Sequence, residues 1–145
     1  MKISTKGRYA LRMLLDLAQN RNNGFIPLKE IAKRQSISKK YLEQIVPVLN
    51  RSDILIANRG FQGGYMLAKE PSQYTVGDIM RITEGNIAPV ACLEHNPNQC
   101  ERCNECDVLF IWQGLDRAIA DYLDSITLQD ILDRKRINAA DDYVI

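Results

Sequence analysis

All four cysteines of this 145-residue chain lie in one stretch of fifteen residues, CLEHNPNQCERCNEC, from Cys92 to Cys106. The intervals between them are seven, two and two residues, with Cys100 and Cys103 in the middle. The same stretch holds the only histidine, His95. Thiolates are soft ligands that select iron–sulfur clusters or zinc over harder ions. The stretch therefore predicts a metal or redox centre.

Three chemistries remain open for these thiols. The Cys-x2-Cys-x2-Cys run repeats the start of the bacterial ferredoxin pattern, but Phe110 occupies the place of its fourth cysteine. Cys92 can supply the fourth thiolate for an iron–sulfur cluster instead. Zinc usually takes paired Cys-x2-Cys arms, which this run matches less well. Two overlapping Cys-x2-Cys pairs also allow a thiol–disulfide switch without metal. His95 lies in a polar loop beside Glu94, and we expect it to be exposed rather than a ligand.

The charge of the chain divides between its two halves. The net charge is +1, but residues 1–70 hold 13 Lys and Arg against 5 Asp and Glu, whereas residues 71–145 hold 6 against 13. This asymmetry favours a basic half that meets a polyanion over chance variation of a solvated surface. Neither a bilayer-length apolar run nor a secretory signal pattern is present, so we expect a cytoplasmic protein with reduced thiols.

The basic half has the pattern of a helix-turn-helix. We expect Thr5 to cap a first helix with apolar residues at intervals of three and four, namely Tyr9, Ala10, Met13, Leu14, Leu17 and Ala18. A short second helix follows over Leu28 to Gln35. The residues Ser36-Ile37-Ser38 then break the helix, and Ser38 caps a third helix, KKYLEQIVPVLN. Pro47 is expected to kink or end this third helix.

Two features of this region favour binding to nucleic acid. Lys39 and Lys40 lie in the first turn of the third helix, where the helix dipole disfavours cations unless a phosphate binds there. After this helix, the runs Ile54 to Ala57 and Tyr65 to Ala68 flank a glycine-rich loop that contains Arg59. Such a loop is either a plain turn or the wing of a winged helix, and its position after a basic helix favours the wing.

Four motifs resemble the Rrf2-type family of bacterial winged-helix transcription regulators. They are MKISTKGRYAL at the start, YLEQI in the third helix, RGFQGGY in the loop and YTVGDIMRITEG after it. The resemblance extends over nearly the whole chain, to about Leu132. It implies a mainly α fold, a winged helix-turn-helix with a β-hairpin wing and a long C-terminal dimerisation helix.

The resemblance also implies a homodimer that reads a palindromic operator in double-stranded DNA, with each third helix in a major groove and each wing at a minor groove. The chemistry agrees, since Gln44 can pair with adenine, Glu43 can accept a hydrogen bond from cytosine, and a narrow minor groove attracts Arg59. The positions that match the family's DNA-contacting residues are Ser38, Lys39, Lys40, Tyr41, Glu43, Gln44 and Arg59.

The acidic half is predicted to complete a regulator. Thr75 and Asp78 form a capping-box start for the helix VGDIMRITE, which Gly85 ends. A longer helix then carries an apolar stripe at Val108, Ile111, Trp112, Leu115, Ala118, Ile119, Tyr122 and Leu123. Its length favours a subunit interface over packing against its own domain. A last short helix is expected from Thr127 to Leu132.

For the cysteines, the resemblance implies three iron ligands, with five residues between the last two. Cys92, Cys100 and Cys106 match, and Cys103 is additional. The positions that supply a fourth ligand in relatives hold Leu109, Arg8 and Arg12 here, and these cannot ligate iron. Cys103 is the substitute, which gives an all-cysteine site at Cys92, Cys100, Cys103 and Cys106.

We therefore expect a cytoplasmic DNA-binding regulator, acting as a repressor, whose operator binding is controlled by a 2Fe-2S or 4Fe-4S cluster. Residues 1–85 form the DNA-binding domain, 86–107 the cluster-binding loop, and 108–145 the dimerisation helix and C-terminal segment. No catalytic constellation is present. The alternative is a redox thiol or zinc-containing protein without cluster sensing.

Overall fold

The first helix, α1 (Thr5–Gln19), contacts most other elements of the fold in this computed structural model, which describes residues 2–142. Met1 and residues 143–145, the outer ends of the predicted segments 1–85 and 108–145, lie outside the described residues. Ser4 rather than Thr5 caps the helix, because the Ser4 hydroxyl accepts a hydrogen bond from Gly7 N at 3.2 Å. The predicted apolar stripe of α1 is buried in the core, except for Tyr9, which is half-buried against it.

The predicted helix-turn-helix is formed by α2 (Leu28–Gln35) and α3 (Lys39–Arg51). Ser36 adopts a left-handed backbone conformation in the turn, and the Ser38 side chain caps α3 by accepting a hydrogen bond from Tyr41 N at 3.2 Å. Of the two alternatives predicted for Pro47, a kink or an end of the helix, the second is wrong, since α3 continues to Arg51. Pro47 lies on the exposed side of the helix, where water can satisfy the backbone carbonyl that its ring leaves unpaired.

The wing is an antiparallel hairpin of β1 (Leu55–Asn58) and β2 (Gly64–Leu67), displaced by one residue from each predicted run. Its register pairs Leu55 with Leu67 and Asn58 with Gly64. Ile26 and Tyr65 exchange two backbone hydrogen bonds of 2.9 Å, which join the segment before α2 to the free edge of β2. The wing is therefore fastened to the helix-turn-helix through Tyr65, one residue pair from the tip-side end of the hairpin.

The helix α4 (Val76–Glu84) begins and ends where the sequence predicts. Thr75 Oγ1 accepts a hydrogen bond from Asp78 N at 3.0 Å, and Asp78 Oδ2 accepts one from Thr75 N at 3.2 Å. Gly85 ends the helix with a positive φ of 75°. A short 3-10 turn, Pro71–Gln73, leads from the wing into this region.

Two helices, α5 (Leu109–Asp124) and α6 (Leu128–Asp142), follow the cysteine stretch. The last helix is longer than the predicted segment from Thr127 to Leu132. Leu128 and Leu132 are buried in the same core as α1, and Val76 N donates to Ile126 O at 2.8 Å. In contrast, α5 contributes no fully buried residue.

The architecture is mainly α, with a winged helix-turn-helix followed by a long helix, as the sequence predicts. Among residues 2–142, no helix combines the length and the apolar character needed to cross a membrane.

Candidate nucleic-acid interface and cysteine loop

The third helix presents one face to the core and one to solvent. Leu42, Ile45 and Leu49 are buried, and this burial fixes the rotation of the helix about its axis. The opposite face carries most of the predicted DNA-contacting residues, which are all exposed: Ser38, Lys39, Lys40, Glu43 and Gln44. Lys39 Nζ lies 3.8 Å from Glu43 Oε1, a solvent-exposed pair that contributes little to stability.

Tyr41 is the exception among the predicted residues of the third helix. It is half-buried, and its ring packs edge-to-face on Tyr9 of α1 with 5.3 Å between ring centroids. The guanidinium of Arg12 lies 5.3 Å from the centroid of the same Tyr9 ring. Tyr41 therefore attaches the start of α3 to α1 in addition to any contact with a ligand.

A buried ion pair attaches α1 to the end of α2. Asp16 is 1% exposed and accepts hydrogen bonds from Arg34 Nε at 3.0 Å, Arg34 Nη2 at 2.7 Å and Gln35 Nε2 at 3.1 Å. The hydrogen bond from Arg34 to Asp16 raises the pKa of the guanidinium. Arg12 also donates to the backbone carbonyl of Gln35. The position of the helix-turn-helix on α1 is thus fixed by polar contacts as well as by the apolar core.

The wing tip places Arg59 beside an exposed aromatic ring. Arg59 is exposed, and Phe61 is 97% exposed. The loop needs its glycines: Gly60 has a φ of 103°, and a Cβ at Gly63 would overlap the carbonyl of Asn58. The chain therefore holds a cation and a large apolar side chain at the end of a tight hairpin.

The cysteine loop connects α4 to α5. Cys92 lies in a short 3-10 turn, Ala91–Leu93, and is half-buried, as is Cys103; Cys100 and Cys106 are exposed. All four thiols are free. His95 is exposed, as expected. Within residues 2–142, no three side chains of His, Cys, Asp or Glu converge closely enough to hold a metal ion.

The chemistry of this donor set nevertheless fits an iron–sulfur cluster. Four free thiols share one loop, and Asn98 beside them offers an unused donor: its Nδ2 is buried without a hydrogen-bond partner, while its Oδ1 accepts from Cys100 N at 2.8 Å. Iron–sulfur sites use such donors to bond to sulfur. The donors fit the group, although the four side chains do not converge in this structure.

The start of this loop is held against α1. Glu84, the last residue of α4, accepts hydrogen bonds from Ser4 N at 3.0 Å and Ser4 Oγ at 2.6 Å. A Cβ at Gly7 would overlap the end of the Glu84 side chain, which would then have to shift, so glycine at this position permits the observed contact. Asn86 Nδ2 donates to Glu94 O at 2.7 Å and closes the segment that carries Cys92. We refer to the Glu84–Ser4 contact as the carboxylate clamp.

The apolar residues predicted to form one stripe on α5 lie on two sides of the helix. Leu123 packs against the core and Trp112 and Ile119 are half-buried, so this edge contacts its own domain. Val108, Ile111, Leu115 and Tyr122 remain exposed, with Ile111 at 45% and Leu115 at 43%. These residues recur at intervals of three, four and seven and form an unpartnered apolar seam.

A bidentate ion pair connects α4 to α5. Arg81 donates to Asp124 Oδ1 at 2.9 Å and to Oδ2 at 2.8 Å. This hydrogen bonding lowers the pKa of the Asp124 carboxyl below its ordinary value. A Cβ at Gly77 would overlap the Asp124 carboxylate, so glycine at this position leaves room for the ion pair in its observed place.

Sequence reasoning missed two residues of this surface. Lys29 lies at the start of α2 and faces the wing across a cleft, and Phe61 stands at the wing tip. A lone phenylalanine in a polar, glycine-rich loop was a signal for Phe61. No sequence signal identified Lys29, because its position relative to the wing depends on the tertiary fold.

A basic helix exposed beside a glycine-rich wing, on a mainly helical core, defines a winged helix-turn-helix DNA-binding protein. The chain belongs to the Rrf2 family, because the family model described as an iron-dependent transcriptional regulator matches residues 3–134. Like its relatives, it is a DNA-binding transcription regulator, and neither it nor they are enzymes.

Relatives and solved structures agree with this assignment. The chain is 41% identical over 132 residues to the HTH-type transcriptional regulator CymR of Bacillus subtilis, covering 90% of this chain and 89% of CymR. It is similar to the structure of T. potens IscR, with a TM-score of 0.74 and 38% identity over 93% of this chain and 88% of that one. The structure of B. subtilis CymR, described as the global cysteine regulator, gives a TM-score of 0.74 and 40% identity. The match covers 90% of this chain and 95% of the CymR chain.

Proposed function

We propose that the chain is a cytoplasmic, homodimeric repressor that reads a palindromic operator and whose operator binding is controlled by an iron–sulfur cluster on Cys92, Cys100, Cys103 and Cys106. The observation that carries the proposal is the position of the four free thiols. They lie in the loop that follows Glu84, and the carboxylate clamp holds the start of this loop against α1. The third helix, which is the proposed reading helix, packs on the same α1 through Tyr41 and Tyr9.

The proposed reading surface consists of the exposed side of α3 and the wing. The amide of Gln44 can pair with adenine, and the carboxylate of Glu43 can accept a hydrogen bond from the cytosine amino group. The ammonium group of Lys40 can donate to guanine or to phosphate. Ser38, Lys39 and Tyr41 lie at the helix start, within the same surface. Arg59 at the wing tip suits a narrow minor groove, and Phe61 beside it offers an apolar contact to sugars or base edges there.

The proposed dimer interface is the apolar seam of α5. None of the 16 residues of α5 is fully buried, and the seam residues Val108, Ile111, Leu115 and Tyr122 stay in contact with water unless a partner covers them. A second copy of the same seam is the simplest partner, since twofold symmetry lets one surface cover itself. In a dimer each protomer supplies one reading helix, as a palindromic operator requires.

The division of the chain follows from these roles. We assign residues 1–85 to DNA binding, 86–107 to the cluster-binding loop, and 108–145 to dimerisation and the C-terminal segment. The last part also includes α6, whose Leu128 and Leu132 lie in the core shared with α1.

The four cysteines are the proposed ligands, and a bound cluster supplies a redox-active iron centre whose presence depends on the state of the cytosol. Cys103 takes the place of a fourth ligand from another element, and Asn98 Nδ2 is the available hydrogen-bond donor to sulfur. The acidic side chains of the loop, at Glu94, Glu101, Glu105 and Asp107, disfavour a place against DNA. We infer that the loop acts on DNA binding through α1.

The test is purification under anaerobic conditions, followed by a visible absorption spectrum and by counts of iron and acid-labile sulfide. We expect a charge-transfer spectrum, iron and sulfide in equal amounts, and loss of the cluster in Cys103→Ala as severe as in Cys92→Ala. His95→Ala is the matched control in the same loop and should keep the cluster, because His95 is exposed and is not a proposed ligand.

Two outcomes would replace the cluster proposal. Zinc without iron would make the loop a zinc site, and a metal-free protein with a reversible Cys100–Cys103 or Cys103–Cys106 disulfide would make it a thiol switch. A Cys103→Ala variant with a full cluster and unchanged spectrum would show that the fourth ligand comes from elsewhere. None of these outcomes affects the assignment of the chain as a DNA-binding regulator.

A further inference from the structure

A cleft of about 470 Å³ separates the helix-turn-helix from the wing. The start of α2 forms one wall, the exposed side of α3 another, and the wing loop the third. The lining residues that matter here are Lys29, Lys39, Glu43, Asn58 and Arg59. Each of the three elements thus contributes one cation to the same concave surface.

The cations of this cleft are largely free of ion-pair partners. Among the described residues neither Lys29 nor Arg59 has a carboxylate within 4.0 Å, and Lys39 has only the exposed contact with Glu43 at 3.8 Å. Three cations against one carboxylate leave the cleft with two net positive charges. A concave surface of one charge sign concentrates the field that attracts a ligand of opposite sign.

The backbone around the cleft lets a ligand approach closely. Gly60, Gly63 and Gly64 line it and carry no side chain. Asn58 and Asn50 add amide groups that can donate to an oxyanion. An open cleft with lysine and arginine side chains on three sides suits the phosphodiester backbone of a duplex.

We infer that one DNA strand runs through this cleft and that Lys29 donates to one of its phosphates, between the groove contacts of α3 and those of the wing. This inference rests on the proposed roles of α3 and the wing in operator reading. Because Lys29 contacts backbone, it contributes affinity without sequence preference. Glu43 repels phosphate, so its contacts are confined to base edges, and it carries specificity in the same cleft.

The inference is tested by the salt dependence of DNA affinity, measured by fluorescence anisotropy on a mixed-sequence duplex of about 30 base pairs. Each phosphate neutralised contributes about −0.9 to the slope of log affinity against log salt. Lys29→Gln should therefore make the slope shallower by about 0.9. Between about 50 and about 200 mM salt the wild type should lose about 3.5-fold more affinity than the variant.

Two matched variants isolate the contact. Lys33→Gln removes the same charge from the same helix at an exposed position that does not line the cleft, and it should leave the slope unchanged. Lys29→Arg keeps the cation and should keep the slope. Since Lys29 is exposed, none of these changes should alter the fold, which a circular dichroism melt checks.

The outcomes separate this inference from the proposed function. A wild-type slope in Lys29→Gln, with duplex binding intact, overturns the role of Lys29 alone. An equal loss of slope in Lys33→Gln shows a general charge effect and also overturns it. If the wild type binds no duplex at low salt, the proposed operator-reading function fails together with the inference.

Discussion

Breaking the Asp16–Arg34 ion pair should lower the free energy of unfolding by different amounts, depending on which partner is replaced. Asp16 is 1% exposed, whereas the Arg34 side chain is 38% exposed. Replacing Asp16 with Ala removes three hydrogen bonds, but Arg34 can then turn to water. Replacing Arg34 with Met instead leaves a buried carboxylate that retains only Gln35 as a donor.

The magnitudes follow from this asymmetry. Removing one partner of a buried ion pair costs about 3–5 kcal/mol, most of it from the charge left behind. We expect Arg34→Met at the upper end of that range and Asp16→Ala at about 2–3 kcal/mol, because the remaining guanidinium is resolvated. The double variant Asp16→Leu with Arg34→Met leaves no charge and should be less destabilised than Arg34→Met alone.

The assay is urea unfolding of the wild type and the three variants at one protein concentration, since the stability of the proposed dimer depends on concentration. The reasoning is refuted if Asp16→Ala is as destabilised as Arg34→Met, or if the double variant is the least stable of the set. Either result would mean that the burial of the carboxylate does not determine the effect.

Two further outcomes are expected. Ile111→Asp together with Leu115→Asp should give monomers in sedimentation velocity and abolish operator binding, because buried unpaired charges are costly in an apolar seam. A double variant that stays dimeric would show that the seam does not join the subunits. Asp124→Asn should lower stability by less than about 1 kcal/mol at pH 7, since the pair with Arg81 is partly exposed. The lowered pKa of Asp124 means that this difference should disappear as the pH falls below 3.8, and thermal unfolding of wild type and variant from pH 7 to pH 3 checks it.

The helices of the DNA-binding part were predictable because their signals are local. Ser38 caps α3, the reciprocal pair of Thr75 and Asp78 caps α4, and Gly85 ends α4, each within four residues of the backbone group concerned. Apolar periodicity then gave the buried face of each helix. The cap of α1 was misassigned to Thr5. The true cap is the neighbouring residue Ser4, which is held in place by hydrogen bonds to Glu84, a residue eighty positions further along the chain.

The errors occurred where local signals end or mislead. Pro47 does not end α3, because its ring lies on the exposed side of a helix whose other side is held by the core. The last helix continues past Leu132 without an apolar stripe, through exposed residues such as Arg136 and Ala140 that favour a helix by intrinsic propensity. Periodicity alone cannot detect such an extension.

The candidate sites also include parts that local sequence signals predict and parts that depend on the tertiary fold. The exposed face of α3, which is the proposed reading surface, follows from helical spacing once the apolar residues are assigned to the core. The spacing of the four cysteines identifies the donor set, but a polar loop has too few apolar residues for the sequence to indicate its shape. Lys29 approaches the wing only because Ile26 pairs with Tyr65, a contact between distant segments.

The carboxylate clamp has a consequence for how this fold can change over time. Of the described hydrogen bonds and ion pairs, none joins residues 86–107 to α3 or the wing, whereas Ser4, Tyr9 and Asp16 of the α1 region contact α4, α3 and α2 respectively. A loop of different length or ligand set can therefore be exchanged between Gly85 and Val108 without altering the proposed DNA-reading surface. The fold thus separates the proposed sensing loop from the proposed reading surface, and the two can diverge independently while Ser4 and Glu84 keep the clamp.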